Sequence, residues 1–366
     1  MIPLVDLARQ HAEIAAEVNL GWQGVLDHGR FIRGPEVAEF EQAFAAYMGT
    51  VHCVGVASGT DALELSLRAL DIGPGAEVVV PANTFIASVL AVMRAGASPI
   101  LVDCDPDTYL VDVDAAADAA SRPAVKAVMP VHLYGQAADV DGLRARLADL
   151  PIIEDAAQAQ GAKRHGTPAG ALGTVAGTSF YPGKNIGAYG DAGAVLTDDN
   201  ELARRVRALG NWGSEEKYHH PEVGFNSRLD TLQAVVLSAK LRRLEEWNQW
   251  RRRAAHTYGE MLGDNPDITL PAVLPGNEPV WHLYVIRVPR RDLVREKMAA
   301  DGVETGIHYP LPVHLHGATS ALGYSRGDFP VAESISDQIL SLPMYPGITD
   351  SELEIVASSL QVAVRS

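Results

Sequence analysis

The residue in this chain best placed to do covalent chemistry is Lys184, in the stretch T-S-F-Y-P-G-K-N-I-G-A-Y-G-D-A-G-A-V from Thr178 to Val195. It stands on a tight loop of glycines and a proline between two apolar β-type segments, the second running from Ala192 to Thr197. Most lysines are solvated surface charges, whereas a lysine on a loop between two buried strands reads as a buried amine. An amine with its ordinary pKa near ~10.4 is protonated and inert at neutral pH, so covalent work requires that it be desolvated or held as an imine. Other positions supply groups that such an amine can use. Ser58-Gly59-Thr60-Asp61 puts a glycine and hydroxyl residues at a helix start, where free backbone N–H groups converge as a phosphate requires. Asp155 ends a solid apolar strand, with Gln158 close behind it, and Phe85 ends another. Ser179, five positions before the lysine, offers a further hydroxyl. Singly, each has a plainer role: Thr60 or Asp61 as a helix cap, Asp155 as a cap or paired buried acid, Phe85 as core. Together, a lysine for a Schiff base, an acid to hold a proton on a pyridine nitrogen and a phosphate cradle form the set that pyridoxal phosphate chemistry needs.

These residues have to be brought together by the elements that carry them. Gly34 to Tyr47 has Val37, Phe40, Phe44 and Tyr47 at helical spacing. Strand Cys53 to Ala57 leads through the Ser58 turn to a helix over Ala62 to Leu70. Strand Glu77 to Val80 leads through Pro81 to Phe85 into a helix reaching Arg94. Strands at Pro99 to Val102 and Val125 to Val131, a helix at Val140 to Leu147, and strand Ile152-Ile153 follow. Solid apolar strands alternating with helices predict an α/β fold around a mostly parallel sheet covered on both faces. Ligands in such sheets sit beyond the carboxyl ends of the strands, where the Ser58, Phe85 and Asp155 turns all fall. A long helix is expected from Thr231 to Leu262, a strand at Trp281 to Val288, a helix at Asp292 to Ala300 and a Pro- and His-rich loop from Gly306 to His316. The boundary between a large domain, 1–245, and a smaller carboxyl-terminal α+β domain, 246–366, is placed near residue 245.

Composition narrows the field. A chain of 366 residues exceeds the usual single-core size, and a formal net charge of −16 argues against a general nucleic-acid binder. The two cysteines, Cys53 and Cys104, match no zinc or disulfide spacing and read as core. The start M-I-P-L-V-D-L-A-R-Q lacks the pattern of a signal peptide, and no apolar run approaches the ~20 residues of a spanning helix, so no membrane association is expected and the cytoplasm is the expected location.

S-G-T-D-A-L, P-A-N-T-F-I-A-S, V-H-L-Y-G-Q, I-E-D-A-A-Q, S-F-Y-P-G-K-N and N-S-R-L-D, in that order and spacing, resemble the DegT/DnrJ-type aminotransferases. The likeness runs from V-D-L near the start to L-S-L-P-M-Y-P near the end. It implies the aspartate-aminotransferase fold (fold type I of the pyridoxal phosphate enzymes) and transamination of a nucleotide-linked keto sugar. On the matching positions it implies that Lys184 is the Schiff-base lysine, Asp155 the pyridinium partner, Phe85 the ring-stacking residue and Gln158 the contact to the ring oxygen. Gly59, Thr60 and Ser179 match the phosphate contacts. Asn226 matches an asparagine that reaches the phosphate from a neighbouring subunit, which implies a homodimer with shared active sites. Where the family commonly reads G-D-G-G, this chain has Gly190-Asp191-Ala192-Gly193; alanine is tolerated there in a β conformation and strained at positive φ.

Lys217-Tyr218-His219-His220 and I-H-Y-P-L-P-V-H-L, with L-G-Y and G-D-F-P beyond, are similar to enzymes that aminate C3 of dTDP-3-keto-6-deoxyhexoses. That likeness implies Tyr181, Lys217, His219, His308 and Tyr309 as substrate contacts, with glutamate or a similar amino donor. Amination at C4, or of another keto sugar or cyclitol, stays open, as does a fold relative that has lost its chemistry. Sugar deoxygenases of the superfamily carry histidine in place of the lysine, so Lys184 argues against them. The histidines also read as ordinary surface or core residues, and no carboxylate or cysteine near them completes a ligand set, so no metal is expected.

Overall fold

The computed structural model describes residues 1–147 and 149–365. In chain order the elements are α1 (Leu7–His28), α2 (Pro35–Met48), β1 (His52–Val56), α3 (Gly59–Ala69), β2 (Glu77–Pro81), α4 (Ile86–Ala95), β3 (Ser98–Val102), α5 (Val113–Ala120), β4 (Val125–Val128), α6 (Val140–Arg144), β5 (Ile153–Asp155), β6 (Lys163–Arg164), β7 (Thr167–Pro168), β8 (Val175–Ser179) and β9 (Gly193–Thr197). There follow α7 (Asn200–Leu209), α8 (Thr231–Leu262), β10 (Asn277–Glu278), β11 (Tyr284–Arg287), α9 (Arg291–Ala300), α10 (Pro330–Gln338), β12 (Ile339–Leu342) and α11 (Asp350–Arg365).

Two ladders, β1-β9-β8-β5 and β4-β2-β3, are joined by parallel bridges at Val128–Ile152 and Val131–Asp155 into one surface. Every pairing in it is parallel except the two made by β9, which runs antiparallel to β1 and to β8. The sheet is therefore mostly parallel. Its strands are buried nearly throughout, because helices cover both faces: α3 and α4 pack with Val54, Val78 and Val80 on one side, while Phe40 and Phe44 meet Phe180 edge to face and cluster with Leu237 and Leu244 of α8 on the other. The carboxyl ends of β1, β2 and β5 lead into the turns that carry Ser58, Phe85 and Asp155.

α8 begins and ends where its periodicity predicts. Its first half buries Ala234, Leu237 and Leu244 with α2, and its second half buries Ala254, Tyr258 and Leu262 in a separate cluster with Ile286, Met298, Leu342, Val356 and Leu360. The helix passes from one cluster to the other between Leu244 and Ala254. In the second region β11 and β12 pair antiparallel beneath α9 and α11, and Ile2 returns to it through a bridge to Val303.

Several boundaries differ from the periodicity, each for a local reason. α3 starts at Gly59 rather than Ala62 because Ser58 Oγ accepts the Asp61 N–H at 3.1 Å and closes the first turn early. β4 stops at Val128 instead of Val131: Pro130 has no N–H to give the ladder. β11 begins at Tyr284, since Trp281 has φ 47° and cannot continue a strand. α5 and α7 lie where no element is predicted; α5 buries only Ala116, too small a stripe to register as periodicity. Among the described residues no helix is long and apolar enough to cross a membrane.

Candidate active site

A cavity of about 520 Å³ opens beyond the carboxyl ends of the strands. Among its lining residues are Ser58, Gly59, Thr60, Phe85, Asp155, Gln158, Ser179, Tyr181, Lys184, His282, His308 and Tyr309. Ten of the thirteen sequence-predicted site residues thus converge from five separate segments of the chain. The walls are completed by Leu4 and Val5, so the amino-terminal segment closes one side.

The phosphate end is built on the start of α3. The N–H groups of Gly59 and Thr60 belong to the first helical turn and have no intrahelical acceptor, and the helix dipole adds positive potential there. Gly59 is required by packing: a Cβ would lie 2.6 Å from Cβ of Ser179. Gly193 is under the same constraint, since a Cβ would lie 2.4 Å from the Ser58 carbonyl carbon. These two close approaches bring β8, β9 and the α3 turn into contact and set the Ser179 hydroxyl beside the first turn of α3. Ala192, the departure from the family pattern, has no positive φ and sits buried, its carbonyl accepting the Phe180 N–H at 2.8 Å. The substitution is therefore accommodated without backbone strain.

Asp155 is buried, yet it is held as an acceptor. Ser88 Oγ donates to its Oδ2 at 2.7 Å and the Ala157 N–H to its Oδ1 at 3.1 Å. Thr84 Oγ1 sits 2.8 Å from Ser88 Oγ and can donate in turn. Phe85, the N-cap of α4, is half exposed with its ring 5.2 Å from that of Tyr309. It is a cavity wall and not core. Gln158 gives its Oε1 to the Tyr134 N–H at 2.6 Å and one Nε2 hydrogen to Tyr309 Oη at 3.0 Å, which leaves a single N–H for a ligand. Tyr134 Oη in turn donates to the carbonyl of His308, so the cavity wall at His308 and Tyr309 is anchored to the strand-end turns. Burial pushes the Tyr309 hydroxyl up, keeping it a neutral donor.

Lys184 follows a turn in which its own N–H donates to the Tyr181 carbonyl at 2.9 Å. Burial pulls its pKa down to about 8, with the charge of Asp155 opposing. A group that is otherwise cationic at neutral pH is thereby made partly neutral and nucleophilic. Among the described residues its amine has no hydrogen-bond or ion-pair partner. His308 is likewise pulled down, to about 4, by burial first and then by Lys184; its Nδ1 lies 2.8 Å from Ser341 Oγ.

Lys217, His219 and Asn226 are not brought to the cavity of their own chain. They lie on the exposed segment between α7 and α8, where Lys217 Nζ sits over the ring of Tyr218 and Asn226 bridges to Asn211. Among the described residues no group of three or more His, Cys, Asp or Glu side chains is placed to hold a metal ion. His314 is instead paired with Glu333 at 3.0 Å and His316 with the Leu311 carbonyl at 3.2 Å.

Site residues that sequence reasoning does not single out are Ser88 and His282, and behind them the His132–Glu154 pair. Ser88 lies one helical turn after Phe85, in the quoted P-A-N-T-F-I-A-S, so helical spacing places it near Phe85, but its bond to Asp155 is long-range. His132 Nδ1 accepts the Ala138 N–H at 3.0 Å, so its Nε2 donates to Glu154 Oε2 at 2.6 Å. Glu154 also takes the N–H groups of Gly170, Leu172 and Gly173, and it immediately precedes Asp155.

The residues present fit pyridoxal phosphate by their donors and spacing: unpaired N–H groups for a phosphate, a half-exposed phenyl ring for a flat heterocycle, a buried acceptor for a ring N–H and an unpartnered amine. Comparison with known proteins agrees. The sequence pattern of the DegT/DnrJ/EryC1/StrS aminotransferase family matches residues 12–361. The chain is 49% identical over 348 residues to the dTDP-3-amino-3,4,6-trideoxy-alpha-D-glucose transaminase of Streptomyces venezuelae, covering 94% of this chain and 91% of that protein. It is 47% identical over 363 residues to the erythromycin biosynthesis sensory transduction protein EryC1 of Saccharopolyspora erythraea, covering 98% and 99%. The crystal structure of S. venezuelae DesV in complex with a ketimine intermediate superimposes with a TM-score of 0.97 at 46% identity, covering 100% of this chain and 99% of that one.

Proposed function

We propose a specific reaction for this chain, which belongs to the DegT/DnrJ/EryC1/StrS aminotransferase family and depends on pyridoxal phosphate: it transfers the amino group of glutamate to C3 of a dTDP-linked 3-keto-6-deoxyhexose. The observation that carries the reading is the unpartnered Lys184 amine, lowered to about 8, in one cavity with the buried acceptor Asp155 and the free first-turn N–H groups of α3. The sugar and its keto position rest on the relatives, several of which are named as dTDP-3-amino-sugar transaminases.

Bound pyridoxal phosphate supplies an aldehyde carbon for an amine to add to and an electron-withdrawing ring that acidifies the adjacent C–H. In this proposal the chain's residues do the rest. Gly59, Thr60 and Ser179 hold the phosphate with N–H and O–H donors. Phe85 would lie against the ring face, Asp155 would accept from the ring N–H, and the free N–H of Gln158 would meet the ring oxygen. Lys184 would hold the cofactor covalently and, once freed as an amine, would take the α-proton of glutamate and return it across the shared nitrogen, with the reverse transfer for the keto sugar. An amine with a pKa near 8 suits both directions, being deprotonated often enough to accept and acidic enough to give. Tyr181, His308 and Tyr309, which line the same cavity, would contact the sugar.

Asn226, Lys217 and His219 enter the proposal through a second copy of the chain. They do not line their own cavity and are exposed, as groups that complete a partner's site would be, so the working unit is taken as a cytoplasmic homodimer with shared active sites. The division into a cofactor-holding domain, 1–245, and a smaller domain, 246–366, belongs to the same proposal. The test is a panel of dTDP- and UDP-linked 3-keto and 4-keto sugars assayed with glutamate. Turnover of the dTDP-linked 3-keto-6-deoxyhexose well above the others is expected; preference for a 4-keto sugar would overturn the assignment of position.

A further inference from the structure

Behind Lys184 runs a chain of buried side-chain amides whose orientations are set by backbone carbonyls. Asn248 on α8 donates from Nδ2 to the Gln160 carbonyl at 3.0 Å, so its Oδ1 is the atom that accepts from Asn185 Nδ2 at 2.9 Å. Asn185 Nδ2 donates its second hydrogen to the Val280 carbonyl at 3.1 Å. Both donors of Asn185 are then spent, and only its Oδ1 is left to face Nδ1 of His282 at 3.2 Å. An amide oxygen can only accept, so His282 Nδ1 carries the hydrogen. Asn185 and Asn248 are each at most 1% exposed, which leaves water little access to offer an alternative.

A neutral imidazole has one N–H. With it committed to Asn185, Nε2 of His282 is a bare lone pair. Burial first, then the charges of Lys184, Arg251 and His308, hold the ring well below its ordinary pKa and keep that lone pair free. Arg251 fixes the segment that carries His282 by donating to the Trp281 and Met344 carbonyls at 3.3 and 3.0 Å. His282 lines the same cavity as Lys184, and among the described residues Nε2 has no partner. Lys184 has donors without an acceptor; His282 has an acceptor without a donor. Elsewhere in the cavity Asp155 already accepts from Ser88 and Ala157 and keeps its remaining lone pairs for a ring N–H, and His308 has no fixed tautomer because the Ser341 hydroxyl can donate or accept.

We propose that His282 is a positioning residue whose Nε2 accepts one N–H of the free Lys184 amine, so that the nitrogen lone pair is aimed into the cavity. This rests on the reading of Lys184 as the reactive amine. Tethering by one N–H removes rotamers of a long, flexible side chain and leaves the lone pair and the remaining hydrogen directed at the substrate side. Asn185, next in sequence to the lysine it serves, acts through His282 and sets its tautomer.

The test uses the full-length protein, dialysed against hydroxylamine to remove bound carbonyl compounds. With ¹⁵N-labelled histidine, NMR is expected to show His282 protonated on Nδ1 and bare on Nε2; the opposite tautomer overturns the proposal. The pH dependence of Lys184 acetylation, followed by mass spectrometry, gives the second readout. Wild type is expected to titrate near 8. His282→Phe, which removes the acceptor that favours the ammonium form, should lower the midpoint by roughly 0.5–1 pH unit, and His282→Gln should restore it. An unchanged midpoint in His282→Phe with Lys184 still reactive overturns the proposal alone, whereas a Lys184 unreactive at every pH overturns the reading on which it rests. If His282→Phe fails to fold, the tautomer measured in the unmodified protein decides.

Discussion

Lys184 and Lys240 are both buried lysines pulled down to about 8, and in both the cause is loss of solvation. Their surroundings differ. Lys240, on α8, is 2% exposed and sits 5.1 Å over the ring of Tyr189, beside an apolar cluster of Ile14, Val18, Val236 and Ala239. No carboxylate shifts it and it does not line the cavity. Lys184 opens onto the cavity, opposite Asp155, within reach of a phosphate cradle and backed by an amide chain. The pair shows that desolvation alone makes an amine weakly basic, and that only an ordered set of acceptors, donors and free volume makes it useful. A depressed lysine is a candidate; convergence of independent elements on it makes a site.

The contrast can be broken at several points. The largest effect is expected from Lys184→Ala, which should keep its fold by circular dichroism and lose turnover by roughly 10⁴-fold or more, since covalent anchor and proton carrier go together. Turnover near wild type would remove Lys184 from the chemistry. Asp155→Asn should lower kcat by roughly 10²–10³-fold with little change in thermal midpoint, the loss expected when a preorganised charge is neutralised. Mixing inactive Lys184→Ala with an impaired Asn226→Asp variant should restore about one quarter of wild-type activity, because only a mixed pair carries one site with both residues intact; no recovery after subunit exchange would mean that each chain is self-sufficient.

Lys240→Met sharpens the comparison from the other side, with turnover expected within about twofold of wild type. A lysine whose folded pKa lies near 8 against ~10.4 unfolded binds fewer protons when folded, so its cost is full below pH 8 and is relieved as pH rises toward 10. The methionine variant should therefore gain stability at pH 7, at most about 3 kcal/mol before the lost ring contact is subtracted, and the gain should shrink by pH 10. Denaturant unfolding at the two pH values measures it; a variant less stable at pH 7 would mean that the Tyr189 contact outweighs desolvation.

The cofactor half of the site was legible because its residues terminate strands or start helices, where apolar runs and turn residues mark the chain: Ser58, Phe85 and Asp155 all sit at such junctions. α8 was legible for a different reason, apolar residues at helical spacing. What stayed hidden was long-range. Nothing in the sequence near His282 points to Asn185, nor does Asn185 announce Asn248; these bonds join residues 97 and 63 positions apart and exist only after α8 and the strand after Val280 have packed. Sequence patterns also give no sign that Lys217, His219 and Asn226 lie on an exposed segment while Tyr181 and His308 line the cavity. Helix α5 escaped notice because alanine packs closely but contributes little to a hydrophobic pattern.

The most direct measurement is where the protein holds its cofactor. Incubation with pyridoxal phosphate, borohydride reduction and peptide mass spectrometry should place the pyridoxyl group on Lys184, with capture rising through a pH near 8. Modification at Lys240, or at exposed lysines alone with a midpoint near ~10.4, would contradict the assignment of Lys184 as the site's reactive amine.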